Sequence, residues 1–153
     1  MYSRQEAAQL KKEFWTAFGQ YMTPVLPAEG EKVSWVNYKT GEKNIYFRMA
    51  ADNKSASIGI DLTHNDEGIQ QLYYEHFLQL KKILEVSTGE EWTWQLHTTD
   101  DYGKTVSRIY TELHNVSIFK KDDWPKLISF FKPRIVALDE FWSNVKHAFE
   151  AMR

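Results

Sequence analysis

The stretch IGIDLTHND, residues 58–66, holds the densest set of side chains that could do chemistry. Asp61, His64 and Asp66 lie within six positions, and carboxylates with an imidazole can bind zinc or manganese or transfer a proton. A second interpretation needs no ligand, because an apolar strand pattern gives way here to a helical one. Asn65 or Thr63 can cap a helix start by accepting free N–H groups, and the acidic Asp66 and Glu67 suit the positive end of the helix dipole. We therefore interpret the stretch as a strand end and a helix cap, and expect no metal and no cofactor.

Asp61 also raises the question of nuclease chemistry. The element order predicted below resembles the α-β-β-β-α-β core of the PD-(D/E)XK nucleases, whose carboxylates hold a divalent metal and whose lysine positions water. Asp61 falls at the position of the strand-three acid, but the lysine position is occupied by Thr63. The start of the second strand offers Asn44, and Asp52 lies at its far end. We therefore expect no active nuclease and assign no catalytic residue.

Hydrophobic periodicity predicts the elements that must position these residues. Helices are predicted over 3–22, 66–86 and 123 to the end, and strands over 33–38, 44–49, 57–62, 91–98 and 105–113. Ser3 and Glu6 match a capping box, and Pro133 predicts a break in the last helix or a bend near Lys132. The expected fold is a single α+β domain over residues 1–153. Its order is α-β-β-β-α-β-β-α, a five-stranded, mostly antiparallel mixed sheet packed by helices.

Strand alternation separates a buried face from a face that carries the candidate residues. Over 44–49, Arg48 shares the outward face with Tyr46, and Asp61 points outward from 57–62. With His64, Arg48 and Asp61 are the candidate ligand-binding residues. Gln70 is predicted to lie on the wet side of the second helix. The core is predicted to contain Phe47, Ile60, Leu72, Phe77, Leu80, Trp94 and Leu138.

Composition and charge limit the function classes. The 153-residue chain is 42% hydrophobic, has a net charge of −2 and contains no cysteine, which excludes disulfides, thiolate zinc sites and cysteine nucleophiles. The charge gives no general attraction to nucleic acid or to anionic membranes. The charged, helical pattern at the start is not that of a secretory signal, and no run reaches the length of a membrane span. We therefore expect a cytoplasmic protein without a membrane partner.

One segment, residues 120–134, could bind nucleic acid. It carries five basic residues against two acidic ones, with Trp124, Phe130 and Phe131 interleaved. Basic side chains can follow phosphates while aromatic rings stack on bases. The alternative is an amphipathic helix whose aromatic rings face the core, and we favour it because the overall charge is negative.

Four segments carry a family resemblance that covers nearly the whole chain. They are KKEFWTAFGQYM, VSWVNYKTGEKNIYFRMAADNKSASIGIDLTH, EEWTWQLHTTDDYGKTVSRIYTEL and DDWPKLISFFKPRIVALDEFW. Together they resemble a family of uncharacterised bacterial proteins, the domain of unknown function 4268 (DUF4268). The family brings no established activity that transfers to a residue. The resemblance also implies an association with nucleic-acid processing or defence, through some longer relatives that join a similar domain to a nuclease-like one.

The leading interpretation is a non-enzymatic binding domain that contacts a protein partner or forms a homodimer. The surplus of aromatic residues, six Trp, eight Tyr and nine Phe, supports it, because such residues favour interfaces as well as cores. The alternative is a degenerate PD-(D/E)XK nuclease-like domain that binds nucleic acid. We favour nucleic acid less as a partner, since the chain lacks both a catalytic set and a net positive charge.

Overall fold

The fold begins with helix α1 (Arg4–Met22). The computed structural model describes residues 2–153. The Ser3 hydroxyl accepts a hydrogen bond from the Glu6 N–H at 3.1 Å, so the predicted cap is confirmed. Phe14 and Phe18 lie on the buried side of the helix, which packs against the last long helix of the chain.

The strands form one antiparallel sheet. The structure gives β1 (Ile45–Ala51), β2 (Ser55–Leu62), β3 (Thr93–Thr99) and β4 (Thr105–His114), in the spatial order β1-β2-β4-β3. Every neighbouring pair is antiparallel. The predicted five-stranded mixed sheet is therefore wrong: within residues 2–153 the sheet has four strands, and residues 33–38 form none. The order of helices and strands is α-β-β-α-α-β-β-α-α.

Aromatic anchoring explains why residues 33–38 alternate like a strand without forming one. The buried Trp35 donates its indole N–H to the carbonyl of Val25 at 3.3 Å. Tyr38 donates its hydroxyl to the buried carboxylate of Asp139 at 2.5 Å. The alternation thus reflects side chains that bind an irregular segment to the loop after α1, through Val25, and to the helical Asp139. The α-β-β-β-α-β order of the nuclease core needs residues 33–38 to form a strand. Since they do not, the described chain lacks that order.

The remaining helices also differ from prediction. The helix predicted over 66–86 is divided into α2 (Glu67–Gln79) and α3 (Lys81–Thr88), and the last helix into α4 (Trp124–Val145) and α5 (His147–Glu150). None of the helices in residues 2–153 has the length and hydropathy that crossing a bilayer requires.

Helix α4 continues through Pro133, so the break predicted there is wrong, and the interruption lies at Lys146 instead. Pro133 and Ser129 are both exposed, so water can satisfy the Ser129 carbonyl that the proline ring leaves without a donor. The alternative prediction, a bend near Lys132, stays a prediction.

The face of α2 that is buried differs from the face that the sequence predicted to be buried. Leu72, predicted in the core, is 59% exposed, whereas Gln70, predicted at the surface, is fully buried. The Gln70 amide donates to the carbonyls of His64 (3.0 Å) and Thr105 (3.1 Å) and accepts from the Ser107 hydroxyl at 2.6 Å. A buried amide with these partners costs little, because its polar atoms remain hydrogen-bonded.

The rest of the predicted core is largely confirmed. Phe47, Ile60, Phe77 and Leu138 are buried, while Leu80 and Trp94 are half-buried against the core. The helices pack on one face of the sheet, where the ring of Phe47 in β1 contacts a ring of α4. The helices also contact one another, since the ring of Phe77 in α2 lies against rings of α4 and α5. The outward side chains of β1 and β4 lie on the opposite face.

Candidate functional site

The face of the sheet opposite the helices carries a cluster built from three neighbouring strands. Register places Tyr46, Asp61 and Arg108 in one row across β1, β2 and β4. The next row holds Arg48, Gly59 and Tyr110 in the same strand order. We call these six residues the arginine–tyrosine face. Successive residues of a strand point to opposite sides, so this face is fixed by the same alternation that buries Phe47, Ile60 and Ile109.

Asp61 lies at the centre of the face, held by two arginines. Arg48 donates from Nη1 to Asp61 Oδ2 at 3.1 Å, and Arg108 donates from Nε to Asp61 Oδ1 at 3.2 Å. The Asp61 side chain is 10% exposed, whereas those of Arg48 and Arg108 are 51% and 33% exposed. The carboxylate is therefore covered by its partners, and the three charges sum to +1.

Each arginine also stacks on a tyrosine of its own strand. The Arg48 guanidinium carbon lies 4.6 Å from the centre of the Tyr46 ring, and that of Arg108 lies 4.5 Å from the centre of the Tyr110 ring. Both distances are within the range of cation–π attraction. The ring and the carboxylate together restrict each guanidinium, which reduces the entropy that it loses when a partner binds.

Gly59 keeps the middle of the face flat. A Cβ at this position would lie 2.5 Å from the carbonyl oxygen of Ile109 and 2.6 Å from the Tyr110 Cβ, closer than real Cβ contacts. Only glycine fits this approach of β2 to β4. The absence of a side chain lets β4 approach β2 closely in the row that holds Arg48 and Tyr110.

This geometry suits binding an anionic group better than acid–base or metal chemistry. Asp61 accepts a charge-assisted hydrogen bond on each oxygen, and the two flanking guanidinium charges would repel a metal cation at this position. A guanidinium has five N–H donors, and the distances above account for one on each arginine. The remaining donors can bind a carboxylate brought by a partner.

The structure separates the three residues in the opening motif. Asp61 is on the arginine–tyrosine face, whereas His64 is buried on the helix side with its ring stacked on Tyr73 at 4.2 Å. Asp66 caps α2 by accepting from the Ile69 N–H at 3.0 Å. The stretch is thus a strand end followed by a helix start, as interpreted, but the cap is Asp66 and not the predicted Asn65. Within residues 2–153, no three His, Asp or Glu side chains converge as a metal site would require.

Of the three candidate ligand-binding residues, Arg48 and Asp61 meet and His64 lies apart from them. Neither ring nitrogen of His64 has a hydrogen-bond partner within the described chain. Burial disfavours the charged ring and lowers the pKa of His64 below its ordinary value. His64 is therefore a neutral core residue in this fold.

The basic segment at 120–134 is an amphipathic helix start, as favoured from the sequence. Phe130 and Phe131 are buried, and Trp124 donates its indole N–H to the carbonyl of Ile118 at 2.7 Å. Arg134 pairs with Glu90 at 2.8 Å. The rings are not displayed for base stacking.

The candidates named from the sequence lacked four members of the site: Tyr46, Gly59, Arg108 and Tyr110. A signal was present, because Tyr46-x-Arg48 on one strand and Arg108-x-Tyr110 on another place the same two residue types on outward positions. What the sequence could not give is the order β1-β2-β4, which places both pairs beside Asp61.

Comparison with known protein families identifies the family of this chain. The model of the family described as Domain of unknown function (DUF4268) matches residues 10–146. Comparison with curated proteins and with solved structures finds no match.

Proposed function

We propose that this chain, which belongs to the DUF4268 family, is a non-enzymatic binding domain over residues 1–153 that recognises another protein through its arginine–tyrosine face. The observation that carries the proposal is the central Asp61, which fixes two partly exposed arginines that are each stacked on a tyrosine. Tyrosine and arginine are enriched among the residues that dominate protein–protein binding energy. Their fixed geometry here reduces the entropy lost on association.

The charge of the face favours a protein over nucleic acid. The same side of the sheet carries the positive Arg48 and Arg108 and two acidic residues, the buried Asp61 and, further along β4, the exposed Glu112. A nucleic-acid surface is expected to be clearly basic, since phosphate contacts dominate its affinity. A protein partner needs only one or two carboxylates, placed to meet the free guanidinium donors.

A second copy fits the face less well than a different protein does. Facing copies would bring Arg48 and Arg108 of each chain toward the same pair on the other. The single negative charge of Asp61 offsets only part of that repulsion, because each cluster carries a net charge of +1. We therefore propose a partner that supplies its own carboxylate.

The test is affinity capture from the native cells with the wild type, Arg108→Ala and the control Lys12→Ala, followed by binding assays with purified partners. Lys12 is exposed on α1, away from the sheet. The proposal expects a protein that binds the wild type and the control but not Arg108→Ala, with all three chains equally folded by circular dichroism.

Two further measurements separate the alternatives. Binding of a single-stranded oligonucleotide that is lost in Arg108→Ala would contradict the proposal and favour the nucleic-acid alternative. A dimer in sedimentation that Arg108→Ala dissociates would contradict it in favour of self-association.

A further inference from the structure

Strand β1 is an edge of the sheet and borders a groove. It ends the order β1-β2-β4-β3, so one of its sides has no neighbouring strand among residues 2–153. A groove of about 710 Å³ runs along that side, between β1 and the irregular residues 36–43. The other edge strand, β3, has a register shift between Gln95 and Thr98, whereas β1 keeps one register throughout its length. β1 is thus the more regular of the two edges.

The direction of the β1 backbone groups follows from two hydrogen bonds. Thr63 donates its N–H to the Asn44 carbonyl at 3.0 Å, and Asp52 donates to the Ser55 carbonyl at 2.9 Å. Both pairs continue the β1–β2 register. In an antiparallel pair, opposite residues alternate between those that exchange hydrogen bonds and those that do not. The even-numbered residues of β1 therefore bond to β2, and the odd-numbered residues point toward the groove.

Three of the groove-facing residues have backbone N–H and C=O groups that can still accept a hydrogen-bond partner. Ile45 is not one of them, because its carbonyl already accepts a hydrogen bond from the Thr40 hydroxyl at 2.8 Å. Within residues 2–153, no hydrogen bond is made outside the sheet by the backbone of Phe47, Met49 or Ala51. Exposed edges of this kind are templates for a further strand.

The charge at the groove favours an acidic occupant. Lys39 and Lys43 line it, are exposed and make no ion pair within the part of the chain described. The one acidic lining residue, Glu42, is held by Arg153 at 2.7 Å. A second copy of β1 would bring the same lysines against this edge, so charge favours a segment of a different protein.

We propose that β1 accepts an extended acidic segment of another protein as a fifth strand. Residues opposite Phe47, Met49 and Ala51 would exchange backbone hydrogen bonds with them and place their side chains on the helix side of the sheet. The intervening residues would place their side chains on the face that carries Arg48. The fitting segment therefore alternates apolar and acidic residues. This inference goes beyond the proposed function, because the edge can bind a strand whether or not the arginine–tyrosine face has a partner.

The probe is a blocked seven-residue peptide of alternating valine and glutamate, added at millimolar concentration to the full chain. Amide hydrogen exchange is followed by NMR at each residue of β1. We expect the amides of Phe47, Met49 and Ala51 to slow by about tenfold or more, while those of Arg48 and Ala50 are already slow in the free protein. Unchanged exchange at Phe47, Met49 and Ala51 would overturn the proposal.

Two modified peptides give matched controls. Methylating the valine amide nitrogens removes the donors directed at β1 and should abolish the effect, whereas methylating the glutamate nitrogens, which point away, should preserve it. Equal effects of the two peptides would contradict strand addition. Lys39→Glu with Lys43→Glu should weaken binding about tenfold, and Lys82→Glu on α3 should not. A dimer in sedimentation, with the amides of Phe47, Met49 and Ala51 already protected in the free protein, would show that β1 pairs with a second copy. That result would contradict the proposal.

Discussion

Truncating Phe77 to alanine tests which face of α2 packs on the sheet. The Phe77 side chain is 1% exposed, and its ring centre lies 4.7 Å from that of Phe149 and 6.3 Å from that of Phe141. Removing a fully buried ring between such neighbours typically destabilises a protein by about 3–5 kcal/mol, from lost burial and from the cavity left behind. At about 2–4 °C per kcal/mol for a chain of this size, the midpoint of thermal unfolding should fall by roughly 6–20 °C.

The matched control is Leu72→Ala in the same helix. Leu72 is 59% exposed, although periodicity predicted it to be buried. Its truncation should change the free energy of unfolding by no more than about 0.5 kcal/mol. Both variants are compared with the wild type by urea unfolding followed by circular dichroism. Equal losses at the two positions, or a larger loss at Leu72, would show that the helix faces the sheet as the sequence predicted.

Two further predictions concern the link between β2 and α2. Burial lowers the pKa of His64, so the unfolded chain binds more protons than the folded one, and stability should fall as the pH drops below about 6.5, by up to about 1.4 kcal/mol per pH unit. His64→Phe keeps a ring against Tyr73 and should flatten this dependence in urea unfolding between pH 8 and 5; an unchanged profile would assign it to other groups. Asp66→Ala should cost about 1 kcal/mol because it removes the cap of α2, while Asn65→Ala should cost less than half as much. The reverse ranking in thermal unfolding would make Asn65 the cap.

Local chemistry made several elements predictable from the sequence. The start of α1 was found because a capping side chain satisfies an N–H group within one turn, as the Ser3 hydroxyl does for the Glu6 N–H. The strands around Phe47 and Ile60 were found because alternation in a half-buried sheet is set by the residues themselves. The outward placement of Arg48 and Asp61 follows from the same alternation, so this part of the candidate site was accessible without a structure.

The features that the sequence did not predict depend on contacts between residues that are far apart in the chain. Residues 33–38 alternate because Trp35 and Tyr38 anchor an irregular segment, a pattern that periodicity does not distinguish from a strand. Gln70 is buried because Ser107 and two carbonyls meet its amide, and no local rule anticipates such distant partners. The pairing of Arg108 with Asp61 depends on strand order, which composition and spacing do not encode.

The most direct test of the arginine–tyrosine face is the dissociation constant for a captured partner, measured by titration calorimetry with the wild type and with Arg48→Ala, Arg108→Ala and Lys12→Ala. Residues that dominate an interface typically cost 2 kcal/mol or more when truncated, so each arginine variant should bind about 30-fold more weakly. Lys12→Ala should bind like the wild type. Equal dissociation constants for all four proteins would contradict the assignment of binding to this face.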